Sequence, residues 1–418
     1  MRDIKAIRAA LEKELSQINV EKVSVVDLVD LFVQYAYAAR ASDVHIEPTA
    51  TDVRIRLRID GMLQDLFIDK PKVSKNLHLE LISRIKVLSG LRTDEHLTPQ
   101  DGRLRVKVEG YGNIDIRVSI MPTYYGENAI MRLLAETQIF ALENLGFLLK
   151  DLERVQQAIK KPYGMILANG PTGSGKSTTL YTILKELNRP EVSIITIEDP
   201  IEYSLEGATQ IQVNTQTGLT FAGGLRSILR QDPNIVMVGE IRDQETAAIA
   251  VNAALTGHLV LSTLHTNDSA TTFPRLIDMG VPPFLVASTI NIAMGQRLVR
   301  TLCENCKKER ALSETEMKSL LEVIPEAMGI AKVAKKLTFF YGEGCDACGK
   351  SGYRGRIGIR EVLEMNEEIR QLIMNRANAR QIKEAAVKNG MMTMIQDGFQ
   401  KALKGITTIE EVLRIINE

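Results

Sequence analysis

The sequence predicts an α/β protein in two parts, an α+β domain followed by a larger domain built on a mainly parallel sheet covered by helices. Three observations predict this. Between residues 165 and 264, short apolar strands alternate with helical runs, the pattern of a parallel sheet with helical crossovers. A GxxxxGK[ST] segment lies at 170–177, between the first of these strands and the first of these helices. Ahead of it, residues 53–59 and 103–134 alternate apolar with polar side chains, as strands with one wet face do.

The elements follow in order. Residues 1–20 read as a charged amphipathic helix, and Val25 to Ala38 as a second, with Leu28, Leu31, Phe32 and Tyr35 on its apolar face. Val44–Ile46 is a short strand. Val53, Ile55, Leu57 and Ile59 alternate with Arg54, Arg56 and Arg58, and Asp60-Gly61 is a turn. Leu77 to Leu88 is helical, and 103–134 returns to strands, which closes a first domain at 1–137. A helix at 149–159 opens the second domain, 138–418. Its strands are expected at 165–168, 194–197, 235–238 and 259–264, and its helices at 176–187, 225–230 and 244–255. A cysteine-bearing region at 300–362 and a helical tail at 363–418 complete it.

Composition narrows the function classes. Lysine plus arginine (52) equals aspartate plus glutamate (52), so no bulk charge favours a nucleic-acid partner, and none is expected. No apolar run reaches the ~18 residues of a membrane span. The charged N-terminus lacks the apolar stretch of a signal peptide. A cytoplasmic protein is expected, one that acts at a membrane only by docking on a membrane partner.

Gly170-Pro171-Thr172-Gly173-Ser174-Gly175-Lys176-Ser177 carries the chemistry. Glycine-rich backbone turns its N–H groups around phosphate oxygens, Lys176 adds positive charge, and the Ser177 hydroxyl suits Mg²⁺. The helix that begins here, through Thr178, points its positive dipole end at the same phosphates. Such a loop needs a carboxylate for Mg²⁺ and a group to orient water. Two acidic strand ends are candidates: Ile235–Val238 leading to Glu240, and Ile194–Ile197 leading to Glu198, Asp199 and Glu202. In a parallel sheet both reach the carboxyl-end crevice. His265 closes a further apolar strand that begins after His258, and could contact a γ-phosphate.

The four cysteines form two CxxC pairs, Cys303/Cys306 and Cys345/Cys348. Four thiolates close a tetrahedral shell, the pattern of a structural zinc site; a redox dithiol is the rival, usually built on one pair in another setting. Lys307, Lys308, Lys350 and Arg354 lie near to offset the thiolate charge. Removal of the metal is expected to unfold this region alone.

From about residue 23 onward the chain resembles the ATPases of type II secretion and type IV pilus assembly. The resemblance rests on Ser42–Pro48, Gln100–Arg103, the phosphate loop, Glu198–Glu202 (the family's Asp box), Leu229–Asp243 (Walker B) and His258–His265 (the His box). It implies a PAS-like N-terminal domain ahead of a RecA-like P-loop ATPase domain, assembled as a homo-hexamer with ATP between subunits. Arg117 and Arg132 match the family's trans-acting arginines, with Arg103 a further candidate. It further implies that Glu240 contacts Mg²⁺ and that Glu198 is the base or water-positioner, roles the sequence itself does not separate. The cysteine pairs, generally lacking in the pilus-retraction class, point to assembly or secretion. The implied partner is an inner-membrane platform protein, at the cytoplasmic face of the membrane. A traffic ATPase for DNA uptake or conjugation is the alternative. Many pilus-assembly members carry an extra domain ahead of this region, so the chain is expected to be a truncated or naturally short member.

Overall fold

The computed structural model describes residues 4–15, 24–67, 73–108, 112–134, 141–311 and 338–417. The chain divides into two compact units, Met1–Thr137 and Gln138–Glu418.

The first unit contains α1 (Ile4–Leu15), α2 (Val25–Ala38), β1 (Ala41–Pro48), β2 (Val53–Ile59), β3 (Met62–Asp65), α3 (Lys75–Leu88), β4 (Gln100–Val108), β5 (Gly112–Thr123) and β6 (Gly126–Leu134). Its strands form one antiparallel sheet in the order β3-β2-β1-β6-β5-β4. Alternation drives the packing. Ile55, Leu57, Leu104, Val106, Ile116 and Val118 turn inward onto Leu28 and Phe32 of α2 and Leu81 and Ile85 of α3. Ser24 and Ser74 cap α2 and α3 by accepting from Asp27 N–H and Leu77 N–H, each cap worth about 1 kcal/mol. The strand expected at 44–46 runs from Ala41 to Pro48. Charged residues made it look shorter, but in the sheet Asp43 meets Arg132 and Glu47 is gripped by both forks of Arg56.

The second unit begins with α4 (Leu149–Ile159), β7 (Gly164–Asn169), α5 (Lys176–Leu187), β8 (Ile194–Glu198), β9 (Thr209–Gln212), α6 (Phe221–Ile228), β10 (Ile235–Val238), α7 (Gln244–Leu255) and β11 (Leu259–Leu264). It continues with α8 (Thr272–Asp278), α9 (Pro283–Thr289), β12 (Ile290–Leu302), β13 (Lys307–Ala311), β14 (Thr338–Gly342) and β15 (Tyr353–Glu364). The final helices are α10 (Glu367–Met374), α11 (Ala379–Lys388), α12 (Met394–Leu403) and α13 (Ile409–Asn417). The main sheet has the order β15-β12-β7-β11-β10-β8-β9, with β15 antiparallel to β12 and the other pairs parallel. Met165 and Leu167 pack into the core on one face, Ile166 and Ala168 into the core on the other. That double burial explains the unbroken apolar runs. After β7 the chain steps outward to β8 and β9, returns through β10 and β11, then crosses to β12 on the other side. The strand order therefore reverses at β7, where a parallel sheet opens a ligand crevice.

The cysteine region, 300–362, is flanked by β12 and β15, both strands of the main sheet, while β13 and β14 form a separate ribbon. Val299, Phe339, Ile359, Phe399 and Val412 share one core, so the strands around the cysteines and the tail helices α12 and α13 pack together. Residues 312–337 lie outside the described residues. No helix among the described residues is long and apolar enough to cross a membrane.

Candidate functional site

The loop after β7 is bare backbone by necessity. Gly170, Gly173 and Gly175 have φ of 143°, 80° and 86°, a region that side chains disfavour. A Cβ on Gly170 would lie 2.5 Å from the Gln296 carbonyl oxygen and 2.6 Å from Ser174 Oγ. Gly175 starts α5 without a side-chain cap, so the first N–H groups of the helix keep their free donors. Ser174 Oγ is buried without a partner among the described residues. These features fit a polyphosphate: donors converge where side chains are excluded. Lys176 is 8% exposed, and its Nζ donates to the carbonyls of Gly170 (2.8 Å) and Pro171 (2.9 Å). Burial pulls its ammonium down to about 8, with Glu240 opposing and Arg297 adding to the fall. Thr172, Gly173 and Ser177 are exposed along the rim, and Thr178 is half-buried behind them.

Sequence reasoning missed Gln296, which no motif marks. This fully buried residue of β12 donates from Nε2 to the Ser174 carbonyl (2.8 Å) and accepts from Thr179 Oγ1 (2.9 Å). It ties the loop to the helix behind it.

Parallel register brings the acidic strand ends to the same edge, since Val238 stands opposite both Ile197 and Ser262. Glu240 is 8% exposed; its Oε2 forms an ion pair with Arg242 Nε (2.6 Å) and lies 3.1 Å from His265 Nε2. Thr263 Oγ1 donates to the Gly239 carbonyl (2.8 Å), which fastens the histidine-bearing strand to the acidic turn. Lys176, Glu240 and His265 thus belong to one electrostatic neighbourhood. Glu198 ends the adjacent strand, where a Cβ on Gly239 would lie 3.3 Å from its Cα, and its carboxylate has partners of its own. It is 3% exposed and accepts from Tyr181 Oη (2.5 Å), Thr196 Oγ1 (2.6 Å) and Gln210 Nε2 (3.3 Å). Burial pushes its carboxyl group up, and these donors hold it back. In the same segment Glu202 is half-buried and Asp199 exposed. A second missed residue is Glu361 of β15. It is fully buried and accepts from both the N–H and the Oγ of Ser269 (2.8 Å each), anchoring the loop beyond His265.

Arg117 and Arg132 lie opposite each other on β5 and β6, with Arg103 opposite Arg117 on β4. Arg117 is half-buried, while the Arg132 side chain is 60% exposed.

Cys303, Cys306, Cys345 and Cys348 place their sulfurs within 4.8 Å of one another. Three of these separations are 3.7–3.8 Å. A tetrahedron with metal–sulfur bonds of about 2.3 Å has edges of about 3.8 Å. The N–H groups of Cys345 and Gly352 also point at Cys348 Sγ, at 3.1 and 3.3 Å. Of the nearby lysines, Lys307, Lys308 and Lys350 each meet a carboxylate, on Glu304, Glu343 and Asp346, and Lys350 also lies within the electrostatic reach of Cys345 and Cys348.

A side-chain-free cradle, an uncapped helix start and a buried lysine at the reversal point of a parallel sheet place the larger unit among the P-loop nucleoside triphosphatases. The chain belongs to the type II/IV secretion system protein family, whose model matches residues 19–414. It is 46% identical to the type IV pilus assembly ATPase PilB of Thermus thermophilus, over 98% of this chain and 45% of that protein. It is 47% identical to the type II secretion system protein E of Xanthomonas campestris, over 94% of this chain and 68% of that one. It therefore spans less than half of the Thermus relative and about two thirds of the Xanthomonas one. Among solved structures, the ADP-bound pilus retraction motor PilT superposes with a TM-score of 0.61 at 26% identity, covering 92% of this chain and 96% of that one. The Legionella pneumophila ATPase DotB shares the fold, with a TM-score of 0.67 at 24% identity over 94% of this chain and 95% of that one.

Proposed function

We propose that this chain hydrolyses ATP as a subunit of a homo-hexameric motor. The motor would drive assembly of a type IV pilus or a type II secretion pseudopilus. The observation that carries this reading is the convergence of Lys176, Glu240 and His265 beside the bare phosphate loop. Relatives named for both systems, together with the cysteine tetrad, support the direction of work.

The loop N–H groups and Lys176 grip the β- and γ-phosphates. Ser177 and Glu240 would hold Mg²⁺, which supplies positive charge across those phosphates. His265, bonded to Glu240, senses whether the γ-phosphate is present. The water-orienting carboxylate comes from the Glu198–Glu202 segment. Glu198 is the residue expected from sequence, and Glu202 is the second reading because both Glu198 oxygens already accept hydrogen bonds. Arg117 and Arg132 of a neighbouring copy complete the site, and such arginines are worth roughly 10³–10⁵ in rate. The four cysteines would hold Zn²⁺, which crosslinks the end of β12 to the start of β15. The partner is an inner-membrane platform protein at the cytoplasmic face of the membrane.

The test is Mg²⁺-dependent ATP hydrolysis per subunit across a range of protein concentrations. A rate that climbs steeply and levels off as rings form supports sites completed between copies. A constant rate in samples shown by sizing to be monomeric refutes them.

A further inference from the structure

Five residues stand in one row across the sheet of the first unit. Asp43 on β1 lies opposite Arg58 on β2 and Arg132 on β6; Arg132 lies opposite Arg117, and Arg117 opposite Arg103. Directly opposed residues share a sheet face. The row therefore sets one carboxylate among four guanidiniums, and that carboxylate is 4% exposed. Its two oxygens are divided. Oδ1 accepts from Arg132 Nε at 2.9 Å, while Oδ2 accepts from Ser42 Oγ at 2.7 Å and lies 3.7 Å from Arg58 Nε. Only Nε of Arg132 is engaged among the described residues. The terminal nitrogens of this largely exposed side chain remain available to an anion.

We propose that Asp43 is the positioning residue of Arg132. It holds the guanidinium by the inner nitrogen and presents the outer two to the polyphosphate bound by a second copy of the chain. A mobile arginine would spend rotamer freedom on reaching the phosphate. One clamped at Nε is already oriented, and its two outer nitrogens keep their N–H donors for the phosphate. Arg58 shares the same carboxylate and limits its swing. This inference rests on the proposed action of Arg132 between copies.

The experiment combines one variant with subunit mixing. Asp43→Asn keeps the shape and removes the charge. It is expected to lower kcat of the assembled ring about 10- to 100-fold, as misplacement of a catalytic group does, with KM for ATP nearly unchanged. Mixing these subunits with Lys176→Ala subunits, themselves inactive, should restore hydrolysis. The second kind supplies an intact Arg132 to the intact phosphate loop of the first. A damaged fold, or a defect in the subunit's own site, is not relieved by mixing. Arg132→Ala mixed with Lys176→Ala is the control. Recovery there with full activity of Asp43→Asn, or with a deficit that mixing leaves in place, overturns the role of Asp43 alone. No recovery in the control overturns the action between copies and the role of Asp43 with it. Should Asp43→Asn fail to assemble, Asp43→Glu keeps the charge and shifts the guanidinium by one bond length. The same mixing-sensitive deficit is expected from it, and normal activity overturns the proposal.

Discussion

Gln296 Nε2 donates to the carbonyl of Ser174 at 2.8 Å, and so binds a strand from late in the sequence to the centre of the phosphate loop. The same amide accepts from Thr179. Gln296→Ala leaves a buried carbonyl and a buried hydroxyl without partners, at about 1–3 kcal/mol each. The expected result is roughly tenfold weaker Mg²⁺-ATP binding, measured by titration calorimetry, in a protein that still assembles. Unchanged affinity would show that the loop keeps its shape without this tie.

Burial of Lys176 sets the sign of a pH dependence in the site. Its folded pKa is lowered from 10.5 to about 8, so between those values the unfolded chain holds a proton that the free native site has shed. Stability of the free protein therefore rises with pH across this window. Nucleotide binding runs the other way, because phosphate favours the ammonium. Above about pH 8 binding takes up a proton, and affinity falls as pH climbs. Calorimetry at pH 8.5 in two buffers of different ionisation enthalpy should report the uptake, and Lys176→Arg should abolish it.

Much of this site was legible because its chemistry is local. The phosphate loop, the strand that ends before Glu240 and the strand that ends before His265 are each contiguous, and periodicity places their ends at one edge of the sheet. Gln296, Glu361 and Asp43 were not legible as site residues. Each acts through a contact made by topology, with partners 122, 92 and 89 positions away. Asp43 even shortened the expected strand, since a charge inside an apolar run reads as an end until its arginine partner is known.

The three glutamates near the crevice should separate kinetically. Glu240→Gln weakens the grip on Mg²⁺ and the contact with His265, so hydrolysis should drop about 10²–10³-fold while ATP still binds. For the water-orienting role, Glu198→Gln and Glu202→Gln are compared in single-turnover assays; the catalytic one loses the chemical step. Tyr181→Phe leaves the Glu198 carboxylate one donor short in a buried setting. It should lower stability by about 1–3 kcal/mol, read from denaturant midpoints.

Metal removal should be felt beyond the cysteines. Val299, Phe339, Phe399 and Val412 share a core, so chelation is expected to raise hydrogen exchange in α12 and α13 as well as between Cys303 and Gly352. Exchange confined to the cysteine loops would show that the module unfolds on its own.

β12 passes the phosphate loop at Gln296 and ends beside Cys303, paired with β15 from Ile292 opposite Glu364 to Leu302 opposite Tyr353. A pull applied between those two points runs along the strand. It loads the rungs of the ladder in shear, all together, instead of peeling them one by one. Displacement at a bound nucleotide would then travel as translation along β12 to the register shift between Arg300 and Leu302, and reach the cysteine cluster through that single irregularity.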